Sequence, residues 1–510
     1  MVRKILSATL QGIHALPVII EVDSSLGLPG FSMVGLPDSA VRESRERVVS
    51  AMRSCGFQGM SRRITVNLAP ADVRKEGSAF DLALAIGMLL ATEQLECKDY
   101  TGMLFLGELS LDGGVQAIRG VLSMAVCARE RKWRLVVPKA NLAEALAVKG
   151  VEAIGVETLQ ECVALLANTD QIKFQCGAGV SGCDSCVVAP VPSGSDFVNV
   201  QGMAVVRRSL EIAAAGWHHF LMVGSPGAGK TLCAQCVPGI LAPMSSIEAL
   251  ESTMIHSCTG LLKSGSGLIK TRPFRAPHHT ATPISLVGGG RIPKPGEVSL
   301  AHNGMLFLDE FPEFSRASLE GLRQPLEEGS ITVTRAMESV VWPARFLLGA
   351  AMNPCPCGYS LDPSRECQCS PLDVQRYRQR VSGPMLDRID LQIQVPNEGF
   401  DVFRHDRGES SAEIGQRVRL AVERQRFRFR KDSRESDIAW NSRLSTSDVR
   451  RFCTMDAVSE NLLKTASLKL KLSARGVFRV LKVARTIADL QGRKAIERSD
   501  VAEAVQYRLL

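Results

Sequence analysis

The strongest constraint on this chain is the octapeptide Gly224-Ser225-Pro226-Gly227-Ala228-Gly229-Lys230-Thr231. It follows a short apolar run, Phe220-Leu221-Met222-Val223, and precedes a helix-compatible segment that Pro238 is expected to end. Buried strand, glycine loop and helix in that order are what a phosphate-binding loop requires. The glycines let backbone N–H groups converge on phosphate oxygens. Lys230 reaches toward the β and γ oxygens, and the Thr231 hydroxyl can ligate Mg²⁺. A second motif, Met305-Leu306-Phe307-Leu308-Asp309-Glu310, supports the first. Its four apolar residues read as a central parallel strand buried on both faces. Asp309 then falls at the strand's carboxyl end, where it can hold Mg²⁺, and Glu310 can orient or deprotonate an attacking water. The pair predicts a nucleoside triphosphate hydrolase.

The length of 510 residues allows roughly three domains, and 45% hydrophobic content supports well-filled cores. A formal charge of +8 permits a polyanionic partner without requiring one. Fifteen cysteines in so long a chain read as reduced thiols, with room for a metal site, and argue against a secreted disulfide scaffold. Gln11, His14 and Pro17 interrupt any signal-peptide core. The longest apolar run, Phe80 to Ala91, carries Asp81 and is too short to span a bilayer. A soluble cytoplasmic protein with no membrane partner is expected.

Residues 1–170 read as a first unit in which strands and helices alternate. Strands are expected at Leu6–Leu10, Val18–Val22, Ile64–Leu68, Met103–Leu106 and Leu135–Pro138. Helices are expected at Asp38–Cys55, Ser78–Ala91, Gly120–Arg131 and Leu142–Val148. Residues 171–199 have Gly/Ser/Pro linker composition. A nucleotide-binding unit then covers 200–396, and 397–510 loses β character and reads as a helical lid. Within the lid, Ala421–Lys431 interleaves Arg424, Arg426, Arg428 and Arg430 with Phe427 and Phe429. Such a run can bind phosphates and stack bases, or it can be a solvated helix whose aromatics face the core.

Three further groups bear on chemistry. The apolar run Phe346–Met352 ends in Asn353, whose amide can bond the γ-phosphate or the attacking water, or simply begin a turn before Pro354. Arg388 and Arg475 offer guanidinium forks that can stabilise phosphoryl-transfer charge, although surface arginines are common. Cys355, Cys357, Cys367 and Cys369 form two C-x-C pairs across a short loop. Four soft thiolates suit tetrahedral Zn²⁺, the alternative being reduced cysteines in a surface loop. Cys176, Cys183, Cys186, Cys233 and Cys236 read as unremarkable.

These motifs, in this order, resemble an AAA+ ATPase of the magnesium-chelatase type. The resemblance rests on Arg272–His279, on Gly288–Ser299, on Ala301–Gly304 leading into Asp309-Glu310, and on Ser382–Asp390. With the N-terminal unit included, the chain is similar to the bacterial ComM/YifB group of competence-linked ATPases over essentially its whole length. The resemblance implies ATP and Mg²⁺, a sensor-1 role for Asn353, and a sensor-2 role for Arg475. It makes Arg388 an arginine finger inserted into a neighbouring subunit's site, and hence implies a homo-oligomeric ring, hexameric in related proteins. It also implies a helix-2 insertion and a pore-lining hairpin over Ile331–Val341 with Arg335 near its tip. The function implied is a DNA branch-migration helicase or translocase acting in homologous recombination and natural transformation, on single-stranded or branched DNA.

The fold class expected is therefore α/β: an S5-domain-2-like, Lon-protease-like α+β domain, then an AAA+ core with a parallel sheet and helical lid. Lys75-Glu76-Gly77-Ser78 and Phe105–Gly113 carry the Lon-like resemblance. A Ser/Lys peptidase needs a lysine to activate its serine. The matching place is Leu122, and Ala79 rather than Ser78 falls at the nucleophile position, so peptidase activity is disfavoured. A chelatase-type chaperone for metal insertion is the other reading. Against it, chelatase ATPase subunits are expected to resemble only residues from about 200 onward.

Overall fold

In the computed structural model, the strand that launches the phosphate loop, Phe220–Gly224, lies inside a five-stranded sheet. The structure describes residues 2–59, 62–75, 77–97, 99–168, 172–179, 195–262, 267–290, 293–334, 339–362, 365–397, 408–430 and 440–508. Linker positions 180–194, with Cys183 and Cys186, lie outside the described residues, as does Arg335. The sheet order is Phe274–Arg275, Met305–Leu308, Leu347–Met352, Phe220–Gly224, Leu391–Val395, and every neighbouring pair is parallel. Its three inner strands are buried residue after residue, as expected where both faces of a parallel sheet are covered. Because all five strands point the same way, everything that follows their carboxyl ends collects along one edge.

The helix after the loop, Lys230–Ile240, runs through Pro238 instead of ending there. Proline loses one backbone donor, but its fixed φ is helical, so the last turn survives until Leu241 becomes extended. Beyond the sheet come helices Ser411–Arg430, Thr446–Phe452, Ala457–Lys469, Ala474–Leu490 and Arg498–Gln506. Within the first of these, the interleaved Arg/Phe run is divided between inward and outward positions. Phe429 is buried edge-on to Phe452, Arg424 donates to the Asp489 carbonyl, and Arg428 pairs with the Asp489 carboxylate. Phe427, at 64% exposed, remains outward. This run gives little support to a nucleic-acid groove.

A buried polar network joins the base of the sheet to the lid. His218 Nδ1 lies 3.1 Å from Asp390 and its Nε2 lies 2.8 Å from Thr486 Oγ1, while Arg479 pairs with Asp390 at 2.9 Å. Beside it, His219 Nδ1 accepts the Leu348 N–H at 3.0 Å, which requires a neutral imidazole. Burial lowers the His219 pKa from 6.5 to about 4; Asp390 opposes the shift, and Arg479, Arg443 and His218 reinforce it. The unfolded chain therefore takes up a proton that the folded chain refuses, so stability is full above about pH 6.5 and falls toward pH 4. Denaturant unfolding at pH 7 and pH 5 is expected to differ by up to about 2 kcal/mol from this group, and His219→Gln should flatten that difference. An unchanged slope in the variant would assign the acid sensitivity elsewhere.

The chain divides into two compact units, 1–187 with 249–269, and 188–248 with 270–510. Residues 249–269, read from sequence as part of the nucleotide-binding unit, pack with the first. Met254 and Leu268 bury in the same cluster as Val121, Leu122 and Ala125. That unit is built on a mixed eight-stranded sheet whose central hairpin, Arg3–Gln11 with His14–Ser25, is antiparallel. Its helix Asp81–Ala91 is buried on all sides, with Asp81 neutralised by Arg47 at 2.7 Å. Strands Gly30–Val34 and Glu152–Val156 and helix Leu159–Ala167 were not anticipated.

Candidate nucleotide site

The sheet edge brings the expected groups together. Lys230 Nζ donates to the Gly224 carbonyl at 2.7 Å, the Ser225 carbonyl at 2.9 Å and Asn353 Oδ1 at 3.1 Å. Burial lowers the Lys230 pKa, and the Asp309 charge partly restores it. Thr231 Oγ1 donates to Asp309 Oδ2 at 2.6 Å. Gly227 and Gly229 have φ of +80° and +78°, and a side-chain carbon at Gly227 would meet nothing within 4 Å. ATP and Mg²⁺ fit these residues. The ammonium is turned onto loop carbonyls that phosphate oxygens would replace, there is open space over Gly227, and the two groups that would hold Mg²⁺ already lie within hydrogen-bonding distance of each other.

Glu310 follows in a left-handed conformation, φ +53°, which a non-glycine residue adopts at a cost of roughly 1–3 kcal/mol and which concentrates at functional sites. Its N–H donates to Asp309 Oδ1, and its carboxylate lies 2.8 Å from His279 Nδ1. His279 in turn packs against His278 in a tilted arrangement, with ring centroids 4.1 Å apart. The segment carrying both histidines is anchored at its start. Arg272 donates to the Ala242 and Asn303 carbonyls, pairs with Glu248 and covers Trp217 and Trp440.

Arg388 and Arg475 lie elsewhere. Arg388 donates to the Pro384 carbonyl, pairs with Glu327, and lines a cavity of about 370 Å³ with Arg443, Arg479, Lys482 and Asp390. Exposed Arg475 opens the helix Ala474–Leu490 and borders a second pocket that also contains Arg479 and Lys482. Neither cavity includes a residue of the phosphate loop, Asp309 or Asn353. The two arginines thus border separate cavities that share Arg479 and Lys482, and neither cavity takes in the loop of their own chain.

The four cysteines converge. Their sulfurs all lie within 4.8 Å of one another, with Cys355–Cys357 at 3.3 Å, Cys357–Cys367 at 3.6 Å and Cys355–Cys367 at 3.7 Å. Tetrahedral Zn²⁺ with bonds of about 2.3 Å holds its sulfurs about 3.8 Å apart, so the donor set fits that ion with little movement. Among the described residues this is the one such cluster. Cys233 and Cys236, by contrast, are buried on the helix after the loop, their thiols pushed up to about 12 and about 11 by burial. In the N-terminal unit Ser78 donates to Glu108, Lys75 is buried against the Pro70 carbonyl, and Leu122 is buried.

A phosphate loop and an acidic strand end on one edge of a five-stranded parallel sheet, followed by a helical segment, define a P-loop protein of AAA+ type. Family profiles place it further: magnesium chelatase subunit ChlI matches residues 196–402, its C-terminal region matches 408–508, and subunit ChlI of Mg-chelatase matches 20–141. The chain is 41% identical over 508 residues to competence protein ComM of Haemophilus influenzae, covering 99% of this chain and 97% of that protein. It is 39% identical over 508 residues to YifB of Escherichia coli, covering 98% and 95%. Lon protease 2 of Bacillus subtilis is 28% identical over 141 residues, 27% of this chain and 25% of that protein. The chain belongs to the ComM/YifB family of magnesium-chelatase-like AAA+ proteins. The match at 20–141 corrects one expectation, since similarity under a chelatase description is not confined to residues beyond 200. Among the described residues no helix is long and apolar enough to cross a membrane.

Sequence reasoning gave no role to His279. Its signal lay in strand pairing: Phe274–Arg275 runs beside Met305–Leu308, so residues just past the first strand land near Glu310.

Proposed function

We propose that this chain is an ATP-hydrolysing ring motor of ComM-like kind that moves branched or single-stranded DNA during recombination and transformation. The observation that carries the hydrolase part is the convergence of Lys230, Thr231, Asp309 and Asn353 on one sheet edge. Gly224–Thr231 cradle the phosphates, Thr231 and Asp309 hold Mg²⁺, Asn353 orients the γ-phosphate, and Glu310 takes the proton of the attacking water. Mg²⁺, when bound, neutralises phosphate charge. Arg388 and Arg475, bordering cavities that share Arg479 and Lys482, act on the neighbouring protomer's nucleotide, which makes a closed homo-oligomer, a hexamer, the working form. Cys355, Cys357, Cys367 and Cys369 hold one structural zinc. The cytoplasm is the compartment that suits a DNA motor with reduced thiols.

The DNA part rests on the full-length likeness to ComM and is tested by ATP turnover with no DNA and with single-stranded, duplex and branched DNA across a salt series. Stimulation by branched DNA that fades with salt is expected; identical turnover in all arms would remove the motor reading. A second reading, a chaperone for metal insertion, is favoured by the chelatase descriptions matched over three parts of the chain. Stimulation by a chelatase partner subunit and not by DNA would select it.

In this reading His279 restrains the base. Its bond occupies one Glu310 oxygen and has to open before that oxygen can accept the attacking water's proton. His279→Ala is expected to raise DNA-free turnover about two- to fivefold, the range of a partly exposed pair worth up to about 1 kcal/mol. A fall in turnover would make His279 part of the reaction path instead.

A further inference from the structure

The cysteine loop is attached to the phosphate loop. Gly358 directly follows Cys357, and its N–H donates to the Cys355 carbonyl at 3.0 Å. It sits at φ +90°, and a side-chain carbon there would lie 2.5 Å from Pro226 Cδ, 2.7 Å from Pro226 Cγ and 3.9 Å from Asn353 Cγ. Backbone thus touches backbone-ring at the middle of the octapeptide. The same segment begins at Asn353, the acceptor of Lys230, two residues before Cys355. It leaves through Cys369 into the helix Pro371–Gln379, whose Arg378 reaches back to the Pro354 carbonyl at 3.4 Å. Between Asn353 and that helix the described residues form no helix or strand, so local backbone ladders do not fix Gly358 against Pro226. Single hydrogen bonds such as Asn397 to Asp362 hold the loop at points, and the four sulfurs can join its two ends. Tetrahedral coordination would tie the pair Cys355 and Cys357, next to Gly358, to Cys367 and Cys369.

We propose that zinc held by Cys355, Cys357, Cys367 and Cys369 clamps Gly358 onto Pro226, so that the affinity of the phosphate loop for ATP depends on metal occupancy. This rests on the zinc reading above. A metal that only braced a surface loop would leave nucleotide binding alone. Here the metal-bearing turn forms one wall of the octapeptide, and releasing it frees Pro226 and Asn353 together. Glycine is required at 358 both for its φ and for the closeness of Pro226.

The test uses the full chain. Elemental analysis of the purified protein should give about one zinc per chain. Part of the preparation is stripped with a zinc-selective chelator, freed of chelator, and titrated with a fluorescent ATP analogue in Mg²⁺, with circular dichroism recorded on the same sample. Stripped protein of unchanged circular dichroism should bind the analogue about tenfold more weakly, as when the freed loop holds its competent shape for about a tenth of the time, and added zinc should restore it. Folded, stripped protein with unchanged affinity overturns the clamp while leaving the zinc reading standing. Absence of zinc overturns both. If stripping unfolds the chain, Cys367→Ser and Cys369→Ser decide, because each leaves Gly358 and Pro226 as they are: a folded variant short of zinc with weakened nucleotide binding supports the clamp, and a folded variant short of zinc with wild-type affinity refutes it.

Discussion

Glu310→Gln protein binds ATP with nearly unchanged affinity and turns it over at least about a hundredfold more slowly. The amide keeps the size and backbone conformation of the carboxylate but cannot accept the water's proton. Phosphate contacts, which come from Gly224–Thr231, are untouched. The side chain lies at the mouth of the site, 57% exposed, so its removal leaves no buried charge unpaired and the fold should be unaffected. The measurement is single-turnover hydrolysis alongside equilibrium binding of a fluorescent analogue. Turnover equal to wild type would remove Glu310 as the base and point to another group near His279.

Arg388→Ala protein is expected to lose about 10³-fold or more in ATP turnover, the scale of a missing arginine finger. Lys230→Ala protein should fail to bind ATP at all. Mixed, the two should regain activity: some seams then pair an intact phosphate loop from the first with an intact Arg388 from the second. The expectation rests on where Arg388 points, toward Glu327 and the cavity shared with Arg479 and Lys482, in company with no residue of its own loop. Complementation is read as turnover against mixing ratio. No recovery at any ratio, with mixed rings demonstrated by mass, would place the finger within its own chain or nowhere.

Much of this site was legible in the sequence because its chemistry is carried by local patterns. The octapeptide, the strand ending at Asp309 and the strand ending at Asn353 each announce themselves through an apolar run that stops at a polar residue. In a parallel sheet such stops must coincide in space. The cysteine pairs were legible for the same reason, their spacing being enough to bring four sulfurs together. What the sequence could not yield depended on pairing across long separations. His279 meets Glu310 because of the register between the edge strand Phe274–Arg275 and its inner neighbour Met305–Leu308. Residues 249–269 leave their sequence neighbours because Met254 and Leu268 find a better apolar surface near Leu122. Interleaved arginine and phenylalanine at 424–429 left two readings open, a nucleic-acid surface or a helix with its aromatics toward the core, and the partner that decides Arg428, Asp489, lies more than fifty residues on. Pro238 misled by the opposite route: a local rule held in general and failed within the final turn of one helix.

The strand Leu391–Val395 lies directly alongside Phe220–Gly224 through all five residues of each, and begins three positions after Arg388, with Asp390 tied to His218 and Arg479. In a closed ring of the kind proposed, a tug on Arg388 from the adjoining protomer would thus be felt at this chain's own octapeptide through a single rigid ribbon. Neighbouring engines on such a ring could not fire at random; each would time the next.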